Sequence, residues 1–339
     1  MVRLGIVGCG AVVRIYHMPA IPAVPAIRVS ALCDLNCQQA VRLKKEFGLD
    51  AAVVTSLDDL AGRVDAALVA VNPRSHATVA IQLLDMGIDV LCEKPIASSS
   101  AEAERMIDAA ARNGRRLAIG LWCRFLPNFR LLRTLAWSGV LGDLAEITAE
   151  FGGPLDWPME TAAYFTREHT AGGVLFETGI HMLDAIVWLF GDVSDITYED
   201  DSLGGLEANA VLRGTLDVNG RAVPLRCAFS WTDPKRNGIC IRGSRAVAMA
   251  SPGTPEAVVI DEEIAGQPIE THVHRRGWDA GYRVDEIFRD QLKDFAEAVA
   301  NRRDPVVTAG SAIGALRVIE RAYAVRQPLA QPWLTPEAA

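Results

Sequence analysis

Leu4-Gly5-Ile6-Val7-Gly8-Cys9-Gly10-Ala11-Val12-Val13 is the stretch on which the fold turns. A short apolar run ends in glycines, and a helical pattern follows. The turn reads G-x-G-x-x-V. Gly8 allows a tight turn, and Gly10 lets the backbone approach a pyrophosphate, which then rests on the N-terminus of the next helix. Gly8, Gly10, Ala11 and Val12 are therefore candidate cofactor-binding residues. The third glycine of the usual pattern serves helix–strand packing, and Val13 stands in its place. Glycine-rich turns can also merely turn, so the context matters: a strand before and a helix after.

Outward from this turn, strand and helix alternate. Val29 to Cys33, Ala66 to Val71, Ile88 to Cys92 and Leu117 to Ile119 are short runs rich in Val, Ile, Leu and Ala. Unbroken apolar strands belong to sheets covered on both faces, hence to parallel ones. Between them, helices are predicted from Asn36, a cap-type residue, to Gly48, from Ser75 to Gly87 and from Ser98-Ser99-Ser100 to Gly114. The pattern predicts an α/β doubly wound parallel sheet of the Rossmann kind over residues 1–120.

Asp34 ends the second strand about 20 residues beyond the glycine turn, where an acid hydrogen-bonds the ribose hydroxyls of NAD. A carboxylate there repels a 2′-phosphate, which favours NAD over NADP. The plainer alternative is that Asp34 only opens the next helix. Ligands collect beyond the carboxyl ends of parallel strands, and two more ends are polar: Val71-Asn72-Pro73-Arg74-Ser75-His76 and Cys92-Glu93-Lys94-Pro95. A lysine directly after a buried strand is positioned and partly desolvated, which suits it to proton transfer. A solvated Lys94 paired with Glu93 is the alternative. His76 reads as a helix first-turn residue or a neighbour of the cofactor pocket.

After Gly120 the alternation stops. A helix is predicted from Asn128 to Trp137. Strand-like runs follow at Leu144 to Phe151, Val211 to Val218, Val223 to Trp231, Ile239 to Ile241 and Ala257 to Ile260, with Asn219-Gly220 as a hairpin turn. This predicts an α+β domain over 121–339 with a large, mostly antiparallel open sheet. Its free face suits pairing with a second copy, as a homodimer or homotetramer. Between these runs lies Gly172 to Gly191, apolar nearly all round as a helix, hence buried. Yet Glu177, His181, Asp184 and Trp188 fall on one stripe. Buried polar groups need partners, so these either satisfy each other or face a wet cleft. A glutamate one turn before a histidine can orient the imidazole, which makes His181 a candidate general base. A self-satisfied core histidine is the alternative.

Gly8-Cys9-Gly10, Asn72-Pro73-x-x-His76, Glu93-Lys94-Pro95, Gly172-Gly173 and Gly179-x-His181 together resemble the Gfo/Idh/MocA family of NAD(P)-dependent oxidoreductases, which includes glucose–fructose oxidoreductase and inositol dehydrogenase. The resemblance runs over nearly the whole chain, through Trp231 and Phe295 to Arg326, and Glu93-Lys94-Pro95 is its specific motif. It implies that Lys94 and His181 handle the hydroxyl proton. Glu177 stands where the family usually has aspartate; one methylene longer, it still reaches His181 or a substrate. Trp122-Cys123-Arg124-Phe125 matches the segment entering the second domain, with the arginine near nicotinamide and substrate. The implied cofactor residues are thus Gly8, Gly10, Ala11, Val12, Asp34, Asn72, Pro73, His76, Glu93, Lys94 and Arg124. Lys94, Trp122, Arg124, Glu177 and His181 face the substrate, with Tyr164 and Tyr282 as weaker candidates.

The expected reaction is oxidation of a secondary ring hydroxyl of a sugar, sugar derivative, aminoglycoside or cyclitol. The alternatives are a ketosugar reductase, an NAD-dependent glycoside hydrolase of the same fold, and a non-catalytic NAD sensor. Trp122, Trp157, Trp231 and Trp278 offer faces to a sugar ring, though core packing is the commoner use. His272-Val273-His274-Arg275-Arg276 is a basic cluster that suits an acidic group or a solvated loop.

Composition bounds the rest. The 339 residues suit about two domains; 50% are hydrophobic and 22% charged, as in a globular protein. The net charge of −8 argues against a nucleic-acid partner, and Arg112-Asn113-Gly114-Arg115-Arg116 reads as a helix end. No apolar run reaches the roughly 18 residues of a membrane span. The first residues are too short an apolar stretch for a secretory signal. An odd set of seven cysteines without a C-x-x-C pair predicts buried thiols in a reducing cytoplasm, and no metal site.

Overall fold

The computed structural model describes residues 1–155, 165–264, 266–274, 282 and 284–330. They fall into two compact units. The first holds Met1–Trp122, 165–171 and Asp285–Ile313, and the second holds the remaining described residues.

In the first unit the chain runs through β1 (Val2–Val7), a π-helical turn Val13–His17 continuing into α1 (Met18–Ala20), β2 (Ile27–Cys33), α2 (Cys37–Glu46) and β3 (Ala52–Val54). Then come β4 (Ala66–Val69), α3 (His76–Asp85), β5 (Asp89–Cys92), α4 (Ser100–Arg112) and β6 (Leu117–Ile119). Every pair of neighbouring strands is parallel, in the order β3-β2-β1-β4-β5-β6. β4 and β5 are buried along their whole length, as an all-apolar run between two helical layers requires. The sheet reverses its winding between β1 and β4, which creates a crevice at their carboxyl ends.

The expected helix starts are present. The Asn36 side chain accepts from Gln38 N–H at 3.2 Å, and Ser99 Oγ accepts from Glu102 N–H at 3.3 Å. Glu102 in turn accepts from Ser98 N–H at 3.1 Å, a reciprocal cap. The arginines around Gly114 are each matched by an acid: Arg112 with Asp85, Arg115 with Asp89, Arg116 with Asp304.

The second unit contains α5 (Pro127–Trp137), β7 (Leu144–Gly152), α6 (Ile180–Phe190), β8 (Val193–Asp200), β9 (Asn209–Val218), β10 (Arg221–Ser230), β11 (Gly238–Gly243), β12 (Ala246–Ala250), β13 (Val258–Ile264) and β14 (Gln267–Val273). The chain then enters α7 (Val284–Asn301), α8 (Ala309–Ala324) and β15 (Arg326–Pro328). The nine-stranded sheet is ordered β14-β13-β12-β11-β7-β10-β9-β8-β15. It is mixed: β7 runs parallel to β10, and β15 to β8, while the other neighbours are antiparallel. Asn219 and Gly220 both take positive φ (57° and 78°), which is what the tight β9–β10 hairpin demands. α5 and α6 cover one face. The other carries cross-strand ion pairs, Arg226 with Glu150, Arg242 with Glu146 and Arg213 with Glu199.

The compact units depart from the division expected at residue 120. Most of α7 belongs to the first unit although it follows the second sheet in the chain. The reason is its apolar stripe: Phe288, Leu292, Phe295 and Ala296 join Leu4, Ile6, Val29 and Leu32 in one buried cluster. Among the described residues no helix is long and apolar enough to cross a membrane.

Candidate active site

The glycine turn is tight at one end and open at the other. Gly8 has φ +89°, and a Cβ there would lie 2.4 Å from the Ala70 carbonyl oxygen, across the reversal between β1 and β4. Only glycine fits. Gly10 has open space where a Cβ would stand, and its carbonyl accepts from Arg14 N–H at 3.1 Å to start the helix. Val13, at the third motif position, is fully buried against the sheet. These residues form a cradle that a side chain would obstruct, which fits a dinucleotide pyrophosphate.

Asp34 has a structural duty that the spacing did not disclose. Its Oδ2 accepts from Cys9 N–H and its Oδ1 from Asn36 N–H, both at 2.8 Å. It thus braces the glycine turn against the end of β2. Carboxylate oxygens accept more than one hydrogen bond each, so capacity for ribose hydroxyls is retained. Burial, then Asp34 and Cys33, pushes the Cys9 thiol up to about 12, leaving it inert.

The ends of β4 and β5 are stitched together. Asn72 Oδ1 accepts from Ser75 Oγ at 3.1 Å, and Pro73 begins the short turn between them. His76 is buried, with Nδ1 2.7 Å from Pro95 O and Nε2 3.1 Å from Val71 O, so it ties one strand-end loop to the other. Glu93 is buried at the end of β5, and its Oε2 accepts from Lys94 N–H at 3.2 Å. Its Oε1 lies 2.6 Å from Nε2 of His17, which is wholly buried. Burial alone would raise the Glu93 carboxyl, but the His17 hydrogen bond, followed by the charges of His17 and Lys94, holds it below its ordinary value. Lys94 is half-buried and precedes a cis proline. Trp122 packs against the apolar core of this unit.

In the second unit, the stretch between Gly173 and Gly191 is helical but not uniformly so. A π-helical turn, Leu175–Gly179, precedes α6. Gly179 packs flat against Phe229, and Trp231 Nε1 donates to Thr178 Oγ1 at 2.8 Å. The turn places Glu177, and the first turn of α6 carries His181; both side chains are buried. The amides of Gly173 and Leu175 donate to Glu207 Oε1 at 3.0 and 3.2 Å, which anchors the start of this segment. Tyr323 OH also donates to Glu207, at 2.5 Å.

The expected polar stripe is divided. Asp184 accepts from Arg124 Nε at 2.8 Å and Nη2 at 2.5 Å, with both side chains buried. Burial pushes the Asp184 carboxyl up and Arg124 opposes it; two guanidinium donors on two oxygens is the geometry of an ionised pair. The Arg124 guanidinium is thus anchored to α6 through Asp184. Trp188 is half-buried under the Arg133 guanidinium, 4.8 Å from its ring centroid.

Tyr282 is half-buried. Tyr164, Trp157, Trp278, Arg275 and Arg276 lie outside the described residues. No motif or spacing singles out His17 or Glu207. His17 had a faint signal, a lone polar residue in the apolar Ile15-Tyr16-His17-Met18 run; Glu207, in a glycine-rich connection, had none.

The six-strand order, the glycine cradle and the strand-end acid define a dinucleotide-binding oxidoreductase class. The model described as an oxidoreductase family with an NAD-binding Rossmann fold matches residues 2–121, and that of the GFO/IDH/MocA C-terminal domain matches 129–249. The chain belongs to the Gfo/Idh/MocA family. It is 25% identical to a rhizopine catabolism protein MocA of Rhizobium meliloti over 94% of this chain and 93% of that one. It is 32% identical to a D-glucoside 3-dehydrogenase of Escherichia coli over 56% of this chain and 54% of the relative, so that match spans about half of each. The fold matches the crystal structure of an aldose-aldose oxidoreductase from Caulobacter crescentus with a TM-score of 0.81 at 21% identity, over 96% of this chain and 97% of that one.

Proposed function

We propose that the protein oxidises a secondary ring hydroxyl of a sugar, sugar derivative, aminoglycoside or cyclitol to a ketone, with NAD favoured over NADP. The observation that carries this is the Glu93-Lys94 strand end: a buried carboxylate fixes the main chain of a half-buried lysine beside the crevice of a dinucleotide fold. The preference for NAD rests on the Asp34 carboxylate, which repels a 2′-phosphate.

In this reading the first unit holds the dinucleotide and the second binds substrate and forms the oligomer. Gly8, Gly10, Ala11 and Val12 cradle the pyrophosphate, and Asp34 receives the ribose. Asn72, Pro73, His76 and Glu93 shape the strand ends, and Arg124 belongs to the cofactor side as well. Nicotinamide supplies the hydride acceptor. The chain's own task is proton traffic: as the alcohol carbon gives up its hydride and the C–O bond becomes a carbonyl, His181 takes the hydroxyl proton, assisted by Lys94. Glu177 orients His181. Trp122, Tyr164 and Tyr282 complete the substrate side. The ring-alcohol substrate class draws on the activities named for the relatives, D-glucoside oxidation among them. The open face of the nine-stranded sheet is the proposed contact in a homodimer or homotetramer, read by sedimentation of the purified chain.

Absorbance in the NADH band, with purified protein, NAD and a panel of glucosides, aminoglycosides and inositols, tests the reaction. Steady NADH formation on one of them is the expected result; none with any ring alcohol removes the proposal. Retention of NAD without net turnover would indicate hydrolysis instead. Asp34→Ala is expected to weaken NAD binding at least tenfold, a loss of about 1.4 kcal/mol, because it removes both a ribose partner and the brace on Cys9. Unchanged affinity for NAD, by quenching of tryptophan fluorescence, overturns the cofactor assignment.

A further inference from the structure

His17 is fully buried on the π-helical turn that follows the glycine loop. Its Nε2 reaches Glu93 Oε1 at 2.6 Å, and among the described residues its Nδ1 has no hydrogen-bond partner. Phe288 meets the imidazole edge-on at 5.1 Å between centroids and stacks on Tyr16 at 4.8 Å, so the ring is held by packing as well. On the far side of Glu93, a Cβ at Gly120 would stand 3.1 Å from the Glu93 Cδ and Oε2. The carboxylate is therefore gripped by a histidine donor on one oxygen and pressed against a glycine at the other.

We propose that His17 is a positioning residue for Lys94, acting through the Glu93 carboxylate. This rests on the assignment of Lys94 to proton transfer made above. The linkage is short and covalent in part. Glu93 Oε2 accepts the amide of Lys94 itself, so the carboxylate orientation that His17 sets also sets the main chain from which the lysine departs. A buried histidine–carboxylate pair is a poor device for stability, since apolar residues of similar volume commonly do as well or better. Its place, one residue before the lysine at the mouth of the crevice, is where orientation matters most. A misplacement on the order of 1 Å at a reacting group can cost about a hundredfold in rate.

The test compares His17→Leu, His17→Gln, Lys94→Met and the double variant His17→Leu/Lys94→Met, assayed with NAD and the ring alcohol of the panel that gives NADH. His17→Leu is expected to lower kcat about a hundredfold and to leave KM and NAD affinity unchanged. His17→Gln, whose amide N–H reaches Glu93, restores most of the loss. On the Lys94→Met background His17→Leu adds nothing, because both act through one group. Full turnover in folded His17→Leu, or losses that multiply in the double variant, overturns the proposal. Wild-type turnover in Lys94→Met alone overturns the Lys94 assignment instead, so the two failures are distinct.

A readout without substrate accompanies these. After reductive methylation with labelled formaldehyde, the Lys94 methyl signal, identified by its loss in Lys94→Met, is expected to move in His17→Leu and to return in His17→Gln. Should His17→Leu fail to fold, His17→Asn, polar but too short to reach Glu93, takes its place in both measurements. An unmoved signal in whichever folded variant lacks the Glu93 contact also overturns the proposal.

Discussion

Lys94→Met is expected to lower kcat by about 10²- to 10⁴-fold, the span that a positioned proton-transfer group contributes. Methionine nearly matches the length of lysine and packs in the same half-buried place, so the change removes the ammonium and little else. The fold should survive it: Glu93 keeps its His17 partner and still receives the residue-94 amide. His181→Asn is expected to fall in the same range, with unfolding monitored beside it because His181 is buried in the second unit. On the proposed assignment of one proton to both residues, the double variant should lose little beyond the worse single one. Near wild-type turnover in both single variants sinks the assignment of the proton to these residues.

The first unit was legible because its signals are local. An unbroken apolar strand such as Ala66–Val69 cannot be half-exposed, and Asn36 and Ser99 cap their helices through contacts a few residues long. The glycine turn was legible for the same reason, its requirement at Gly8 being steric. What could not be read were partners supplied from far along the chain. α7 returns to the first unit through a stripe that announces burial but not against which sheet. The parallel β7–β10 pair at the centre of the second sheet follows from topology and not from any pattern within either strand. In the candidate site, spacing put Asp34, Glu93 and Lys94 at strand ends but could not tell that Asp34 braces Cys9 or that His17 reaches Glu93. A stripe of polar residues on a buried helix called for partners, yet nothing in Gly172 to Gly191 pointed to Arg124 as the one for Asp184.

That pair carries the largest stability effect expected. Asp184→Ala leaves the Arg124 guanidinium buried with its principal counter-charge gone, and removing one member of a buried ion pair typically costs about 3–5 kcal/mol. The pair as a whole stabilises far less than this, because bringing two charges out of water opposes their attraction. Asp184→Leu combined with Arg124→Met should therefore recover most of the loss, although either change alone is severe. Urea unfolding followed at constant m reads both effects; a cost for Asp184→Ala under about 1 kcal/mol, the range of an exposed pair, overturns the reasoning. The consequence extends to chemistry. Arg124 fastens the chain just before α5 to the helix whose first turn presents His181, and Arg130 Nε holds the Arg124 carbonyl at 2.7 Å from the other side. An apolar replacement pair can restore the packing of α6 but has no directional bond to set its rotation. The repaired double variant is thus expected to regain stability while kcat stays below wild type.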